Sequence, residues 1–208
     1  MRIVLLLIVL ITGVWADPKV ESIFAQVRRM NPTMKDCTAS LDVEMDTQLG
    51  PVNDHPKLNG KYLYKKEDKH QIQLPKAPSY LKRHARIFGF SLPDLARYNS
   101  KVVEETAQQW KIELVPKVKD ANTDRVEILV DKQTSTCPQF DTFYQQDGHL
   151  TVRMKYLQTQ GFTVLESAVA DLRLPSILLT SHAVIHYSDY AFNVGLSDAL
   201  FAPEKKRR

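Results

Sequence analysis

The residues able to do chemistry are few and loosely grouped. His182 and His186 lie four apart, a spacing that puts two metal ligands on one face of a helix. Their neighbours Ala183, Val184, Ile185 and Tyr187 read as a strand instead. Strand residues four apart share a face but stand about 13 Å from each other, too far for one metal ion. Asp42, Glu44 and Asp46 alternate along another strand, the pattern of carboxylates turned to solvent. Cys37 and Cys137 are the two cysteines. Outside the cytoplasm such a pair can form a disulfide, and closing so long a loop would add up to about 4 kcal/mol on the chain-entropy model. The other reading is two buried thiols acting as small hydrophobes. No CxxC, G-x-S-x-G, H-E-x-x-H or phosphate-binding loop is present. The expectation is a protein that is not an enzyme and needs neither metal nor cofactor. Lys82, Arg83 and Arg86 form a basic run that either meets an anionic lipid head group or an acidic partner, or faces water. Lys205-Lys206-Arg207-Arg208 closes the chain in the same way.

The 208 residues suffice for one domain with a sizeable core, and 43% hydrophobic with 25% charged residues is ordinary for a globular protein. The formal charge of +4 is spread along the chain, which argues against nucleic acid as a partner. The first stretch has its own logic. Arg2 precedes the apolar run 3–11, and Gly13-Val14-Trp15-Ala16 follows with small residues suited to cleavage. This is the pattern of a secretory signal peptide over residues 1–16, cut after Ala16. The run is too short to cross a bilayer, which takes about 20 residues. A soluble, exported, monomeric protein is expected, with one domain over 17–201 and a basic tail over 202–208.

The elements that must position these residues are mostly strands. Asp17-Pro18 opens a helix, with Asp as N-cap and Pro at the first position, and Val20, Ile23, Phe24, Val27 and Met30 form one apolar stripe. Asn31-Pro32 ends it. Strands follow over 36–46, 58–65 and 70–74. The pattern turns helical from Pro75 to about Tyr98, with Ser79 capping a helix to Phe88 and a second short helix over 92–98. Gln109–Val115 is again a strand. Residues 124–157 form a three-stranded meander. Val126, Ile128 and Val130 share one face, as do Phe140 and Tyr144, while Phe143 is an apolar exception on the polar side. Leu150, Val152, Met154 and Tyr156 alternate with Thr151, Arg153 and Lys155. Gly148 in Gln146-Asp147-Gly148 is expected to supply the positive φ of a tight turn. Further strands run over 162–170 and 177–187, before a terminal turn anchored by Phe201. The fold class is α+β: eight or nine antiparallel strands in one large sheet, curled into an incomplete β-barrel, with helices covering its concave face.

The order of motifs resembles one family. Leu58-Asn59-Gly60-Lys61-Tyr62-Leu63-Tyr64-Lys65-Lys66 is followed by Trp110 to Pro116-Lys117, by 126–132, by Asp147-Gly148, and finally by Asn193-Val194-Gly195-Leu196-Ser197-Asp198-Ala199-Leu200-Phe201. This sequence of pieces is similar to the outer-membrane lipoprotein-sorting (LolA-like) carriers, over most of the chain. The resemblance implies an open β-barrel lidded by helices, an apolar cavity that holds acyl chains, no catalytic residues, and a role in ferrying lipid-modified proteins across the periplasm. Those carriers have an Arg-Pro at the end of the second strand, where the Arg helps to latch the lid; Lys66-Glu67 stand there here. A Lys offers fewer donors in a less rigid geometry. The strand pair expected after the third strand is replaced by the basic segment 76–98.

By alternation alone the apolar sheet face reads as packed core. The resemblance turns it into a cavity lining: Leu41, Val43, Tyr62, Tyr64 and Ile72; Trp110, Ile112 and Leu114; Val126, Ile128 and Val130; Phe140, Tyr144, Val152 and Met154. Ile23, Phe24 and Val27 would then belong to the lid helix. Each methylene moved from water into such a cavity is worth roughly 0.8 kcal/mol, so an acyl chain needs no specific contact. The expected function is a periplasmic carrier of lipid or lipoprotein acyl chains to the outer membrane, with membrane-protein donors or acceptors. The alternative is an envelope sensor of the same fold that binds a lipid-modified or membrane protein partner. A secreted hydrolase would need Ser, His and acidic side chains converging in one pocket.

Overall fold

The structure, a computed structural model, describes residues 17–67, 69–77, 91–118 and 122–202. The leader over 1–16, the helix expected over 79–88 with Lys82, Arg83 and Arg86, and the terminal basic run lie outside the described residues.

Helix α1 (Pro18–Arg28) begins as its sequence dictates: the Asp17 side chain accepts from the backbone N–H of Lys19, 2.9 Å away. Val20, Ile23, Phe24 and Val27 are buried along one stripe. Eleven strands follow: β1 (Asp36–Leu49), β2 (Val52–Asp54), β3 (Lys57–Lys65), β4 (Lys69–Gln73), β5 (Tyr98–Glu105), β6 (Gln109–Pro116), β7 (Thr123–Asp131), β8 (Gln139–Tyr144), β9 (His149–Thr159), β10 (Phe162–Leu174) and β11 (Leu179–Phe192). They form one antiparallel sheet in the order β4-β3-β1-β11-β10-β9-β8-β7-β6-β5, with β2 pairing only to β1. The last strand therefore lies against the first, and β5 to β11 run as a continuous meander. The sheet curls over α1 but does not close. Its edges, β4 and β5, flank the segment 74–97 in sequence.

Among the described residues α1 is the α-helix on the concave face; the other helical pieces are 3-10 turns at Leu95–Arg97, Pro175–Ile177 and Asp198–Phe201. Two sequence expectations change. The helix over 92–98 shrinks to one 3-10 turn capped by Asp94, because Pro93 disfavours a helical residue before it. Strand β5 takes over at Tyr98, with a register shift between Val102 and Glu104 that breaks its alternation. In the 146–148 turn it is Gln146 (φ 60) and Asp147 (φ 61) that are left-handed, not Gly148. Gly148 is needed for space: a Cβ there would lie 2.8 Å from Leu174 Cδ2 and 2.9 Å from Tyr144 Cβ.

The carboxyl-terminal motif locks the strand ends together. The buried Asp36 carboxylate accepts from the backbone N–H groups of Gly195 and Leu196 at 3.1–3.2 Å. Asn193 Oδ1 accepts from the Lys35 N–H at 2.7 Å, and Asp198 pairs with Lys65 and Lys69. These residues, which carry part of the family likeness, are fold determinants.

Candidate functional site

Helix α1 lies on the concave face with ties to β5 near its start and to β10 beyond its end. Its start is tied to β5: Asp17 N–H donates to Ser100 Oγ at 3.3 Å, and the Lys19 ammonium pairs with Glu105. Glu105 also accepts from Lys132 at 2.8 Å and from the Trp110 indole at 3.1 Å, and these three donors hold its carboxyl down to about 2. The far end of the helix is tied to β10. The Asn31 side chain donates to the Thr163 carbonyl at 2.7 Å and accepts from its N–H at 2.9 Å, so one amide imitates a ladder partner. Lys66 Nζ reaches the Pro32 carbonyl at 3.2 Å, a single hydrogen bond where the lipoprotein-sorting carriers have Arg.

Beneath this second end lies a cavity of about 120 Å³. Val27, Met30 and Met34 roof it. Cys37 of β1, Tyr62 and Tyr64 of β3, and His70 of β4 form one wall. Cys137, Tyr156 of β9, Val164 and Leu165 of β10, and Tyr190 of β11 form the other. Its walls carry neutral side chains, and the exposed Arg28 brings a positive charge to its mouth. Tyr62 shares a hydrogen bond with His70 Nδ1 at 2.8 Å, Tyr156 donates to the Cys137 carbonyl at 3.1 Å, and Tyr190 donates to the Leu165 carbonyl at 2.7 Å. These hydroxyls are satisfied by the protein and leave ring faces to a guest. Burial, with the nearby Asp36 carboxylate adding to it at Cys37, pushes both cysteine thiols up to about 12. They are free thiols here, protonated and unreactive at neutral pH. Burial likewise raises the four tyrosines Tyr62, Tyr156, Tyr187 and Tyr190 above their ordinary range. An apolar space of about 150 Å³ holds a benzene-sized guest, so this one has room for only a few carbon atoms.

Of the residues selected by alternation, Tyr62 and Tyr64 line this cavity. Leu41, Val43, Ile112, Leu114, Val126, Ile128, Val130 and Met154 are buried in one cluster with Ile23, Phe24 and Val27, and Ile72, Trp110, Phe140 and Val152 pack around it. Tyr144 packs there too and borders a groove on the opposite face. The face picked out by alternation is buried, and α1 packs on it. The cavity walls outside the expected lining are Cys37, His70, Cys137, Tyr156, Val164, Leu165 and Tyr190, with the two methionines above them.

The opposite face carries the polar residues. Asp42 pairs with Asn59, Glu44 with Lys57 at 2.8 Å, and Asp46 with His55 at 3.3 Å. Asp141, Thr151, Asp171, His182 and Asp46 stand opposite one another on successive strands β8, β9, β10, β11 and β1. Asp46, Thr151, Asp171 and His182 edge an open groove of about 890 Å³. His182 pairs with Asp171 at 2.7 Å, and His186 lies four residues along the same strand. Phe143, the apolar exception, is sandwiched between the Arg125 guanidinium, 3.6 Å from the ring centroid, and the His149 ring at 4.6 Å. Among the described residues no group of three His, Cys, Asp or Glu is placed to hold a metal.

No family model matches the sequence, and no curated protein matches it. Solved structures do match in fold. One is an outer membrane lipoprotein-sorting protein domain from Vibrio parahaemolyticus, 11% identical, covering 86% of this chain and 94% of its own, with a TM-score of 0.57. A DUF1329 family protein from Desulfovibrio piger is 15% identical, with 90% and 98% covered and a TM-score of 0.54. A LolA superfamily protein from Nitrosomonas europaea is 12% identical, with 88% and 97% covered and a TM-score of 0.50. At these identities the likeness is one of fold, and the fold is LolA-like.

Proposed function

We propose that this protein is an exported carrier that takes up the acyl end of a lipid or lipid-modified protein beneath the second end of α1. The observation that carries this reading is the cavity: walled by aromatic rings and thiols, with tyrosine hydroxyls already satisfied by the protein and Arg28 at its mouth. Such walls favour hydrocarbon over a charged group. The LolA-like fold supports the same reading, and the leader-like first residues agree with export to the periplasm.

At about 120 Å³ the site described here is the closed form. Uptake of more carbon atoms requires the turn bearing Met30, Asn31 and Met34 to lift. Unbranched methionines adapt to guests of different shape, and the Asn31–Thr163 pair is what such a movement must break. When the turn lifts, space opens first over Tyr62, Tyr64 and Tyr156 and then toward the packed residues Leu41 and Met154. Lys82, Arg83 and Arg86 remain candidates for contact with a head group or a membrane-protein donor or acceptor, and the carrier acts as a monomer without cofactor or catalysis.

Native mass spectrometry of the protein purified from envelope extract, before and after mild delipidation, tests this. A mass excess matching an acyl lipid, lost on extraction and reduced in Cys137→Leu, which fills the cavity, is the expected result. Absence of bound lipid together with no uptake of a fluorescent fatty acid would overturn it.

A further inference from the structure

Strands β1, β10 and β11 carry the cavity at one end and a cluster of exposed aliphatic side chains at the other. At the cavity end Cys37 stands opposite Tyr64 and Phe192. At the far end Leu49 stands opposite Leu179 and Val52. With 14 residues in β1, at about 3.3 Å each, the two ends are about 40 Å apart.

The far end is built from two abutting turns. The Gly50 N–H donates to the Leu178 carbonyl at 3.0 Å, joining the β1–β2 turn to the β10–β11 turn. Leu49, Val52, Ile177 and Leu178 are 50%, 61%, 54% and 70% exposed. Isolated exposed aliphatics need no explanation, but two turns that bring four together do. Leu178 adds a second observation. Its backbone is left-handed, at φ 54 and ψ 36, where glycine is at ease and leucine is strained. A strained position occupied by a large side chain turned to water points to use of that side chain. The tip also lacks charge: neither 49–52 nor 174–179 contains an ionisable residue, and Pro51 and Pro175 stiffen the two turns.

We propose that this tip inserts into the surface of a lipid bilayer, docking the protein with its cavity end held away from the membrane. Three features favour a bilayer over a protein. Its four side chains stand out to water from two turns at the end of the sheet, so they are placed to enter a soft medium. Its large exposed side chains are all aliphatic, whereas the energetic centres of protein interfaces are enriched in Trp, Tyr and Arg and poor in Leu and Val. Four side chains fall well short of the roughly 1,200 Å² that a stable interface between two copies buries. The inference does not rest on the cavity reading, since the two sites share no residue.

The test is flotation of the protein, as isolated from cells, with vesicles of phosphatidylcholine and phosphatidylethanolamine. Any part played by residues 1–16 is common to wild type and variants. Ile177→Ser and Leu178→Gly are each expected to reduce the bound fraction about ten-fold, the effect of withholding one large aliphatic chain from hydrocarbon. Leu178→Gly suits the positive φ and will fold at least as well, so loss of folding cannot account for its loss of binding. Binding should not change with added salt, and lipid retention in the cavity should be unaffected. Tryptophan fluorescence of Leu178→Trp should be quenched by lipids brominated on the acyl chain. Equal flotation of wild type and variants, flotation abolished by salt, or retention only by membranes containing protein would each overturn the proposal. So would a dimer in sedimentation that Ile177→Ser dissolves.

Discussion

Helix α1 covers two halves of one sheet face that are made of different residues. Over β6 and β7 the sheet presents Ile112, Leu114, Val126, Ile128 and Val130, none more than 3% exposed, and the stripe Val20–Ile23–Phe24 joins them in one cluster. Branched aliphatic chains interdigitate and leave no room. Beyond Val27 the sheet presents Tyr62, Tyr64, Tyr156 and Tyr190 instead. Planar rings tethered by their hydroxyls to His70 or to backbone carbonyls cannot swing inward to close the gap. One half therefore holds the helix down, and the other keeps a vacancy under its last turn. The fold separates stability from capacity along a single helix.

The sharpest way to break that comparison is to remove volume from the packed half. Ile128→Ala should lower the free energy of unfolding by about 2–5 kcal/mol, read from urea denaturation. A cost below 1 kcal/mol would mean that this half also contains usable space. Adding volume gives the converse. Val130→Phe should destabilise by about 1–3 kcal/mol, because the cluster around it is full. Cys137→Leu at the cavity wall should cost less than 1 kcal/mol, or stabilise, while reducing lipid uptake. Equal costs for these two substitutions would erase the distinction.

How much of this was legible beforehand follows from what alternation encodes. Period two separates the two faces of a strand, and it found β1, β3, β6, β7 and β9 and the face that carries the core. It does not report what lies above a face, so it gave Ile112 and Tyr62 the same role although one is packed and the other lines the cavity. Strand β5 was missed because the bulge at Val102–Glu104 disrupts the very period that identifies strands. The tethers of the cavity tyrosines reach beyond their own strands, as Tyr190 of β11 does to Leu165 of the neighbouring β10, 25 residues away, and no local pattern announces them. Asn31 read as a helix stop, which it is, but its grip on Thr163 is 132 residues away in sequence.

That grip marks the boundary between the two halves and gives a smaller effect. Asn31→Ala removes two hydrogen bonds to the backbone of one residue, Thr163, each worth about 1 kcal/mol net, part of which water recovers. Stability should fall by about 1–2 kcal/mol, and uptake of a fluorescent fatty acid should become faster. Slower or unchanged uptake would show that the last turn of α1 is not the entrance.

The smallest expected effects are in pH, and they differ in sign between the two ends of the helix. At the start of α1, Glu105 is held from 4.5 down to about 2 by Lys132, Lys19 and Trp110. A depressed carboxyl contributes stability above its unfolded value and loses it as pH falls through its folded one. The tie between α1 and β5 should therefore weaken between about pH 4.5 and 2, and Glu105→Gln should flatten that limb of a stability profile. At the cavity the cysteine thiols are raised from 9 to about 12. A raised group contributes fully below its unfolded value and loses that contribution as pH rises, so the cavity half should weaken between about pH 9 and 12. Replacing both Cys37 and Cys137 by Ala should remove part of that alkaline slope and leave the acid limb unchanged. The tyrosines, raised in the same direction, supply the remainder. If the double substitution altered the acid limb instead, the two ends of α1 would be coupled, and a carrier whose cavity turn moves independently of its anchored start would not describe this protein.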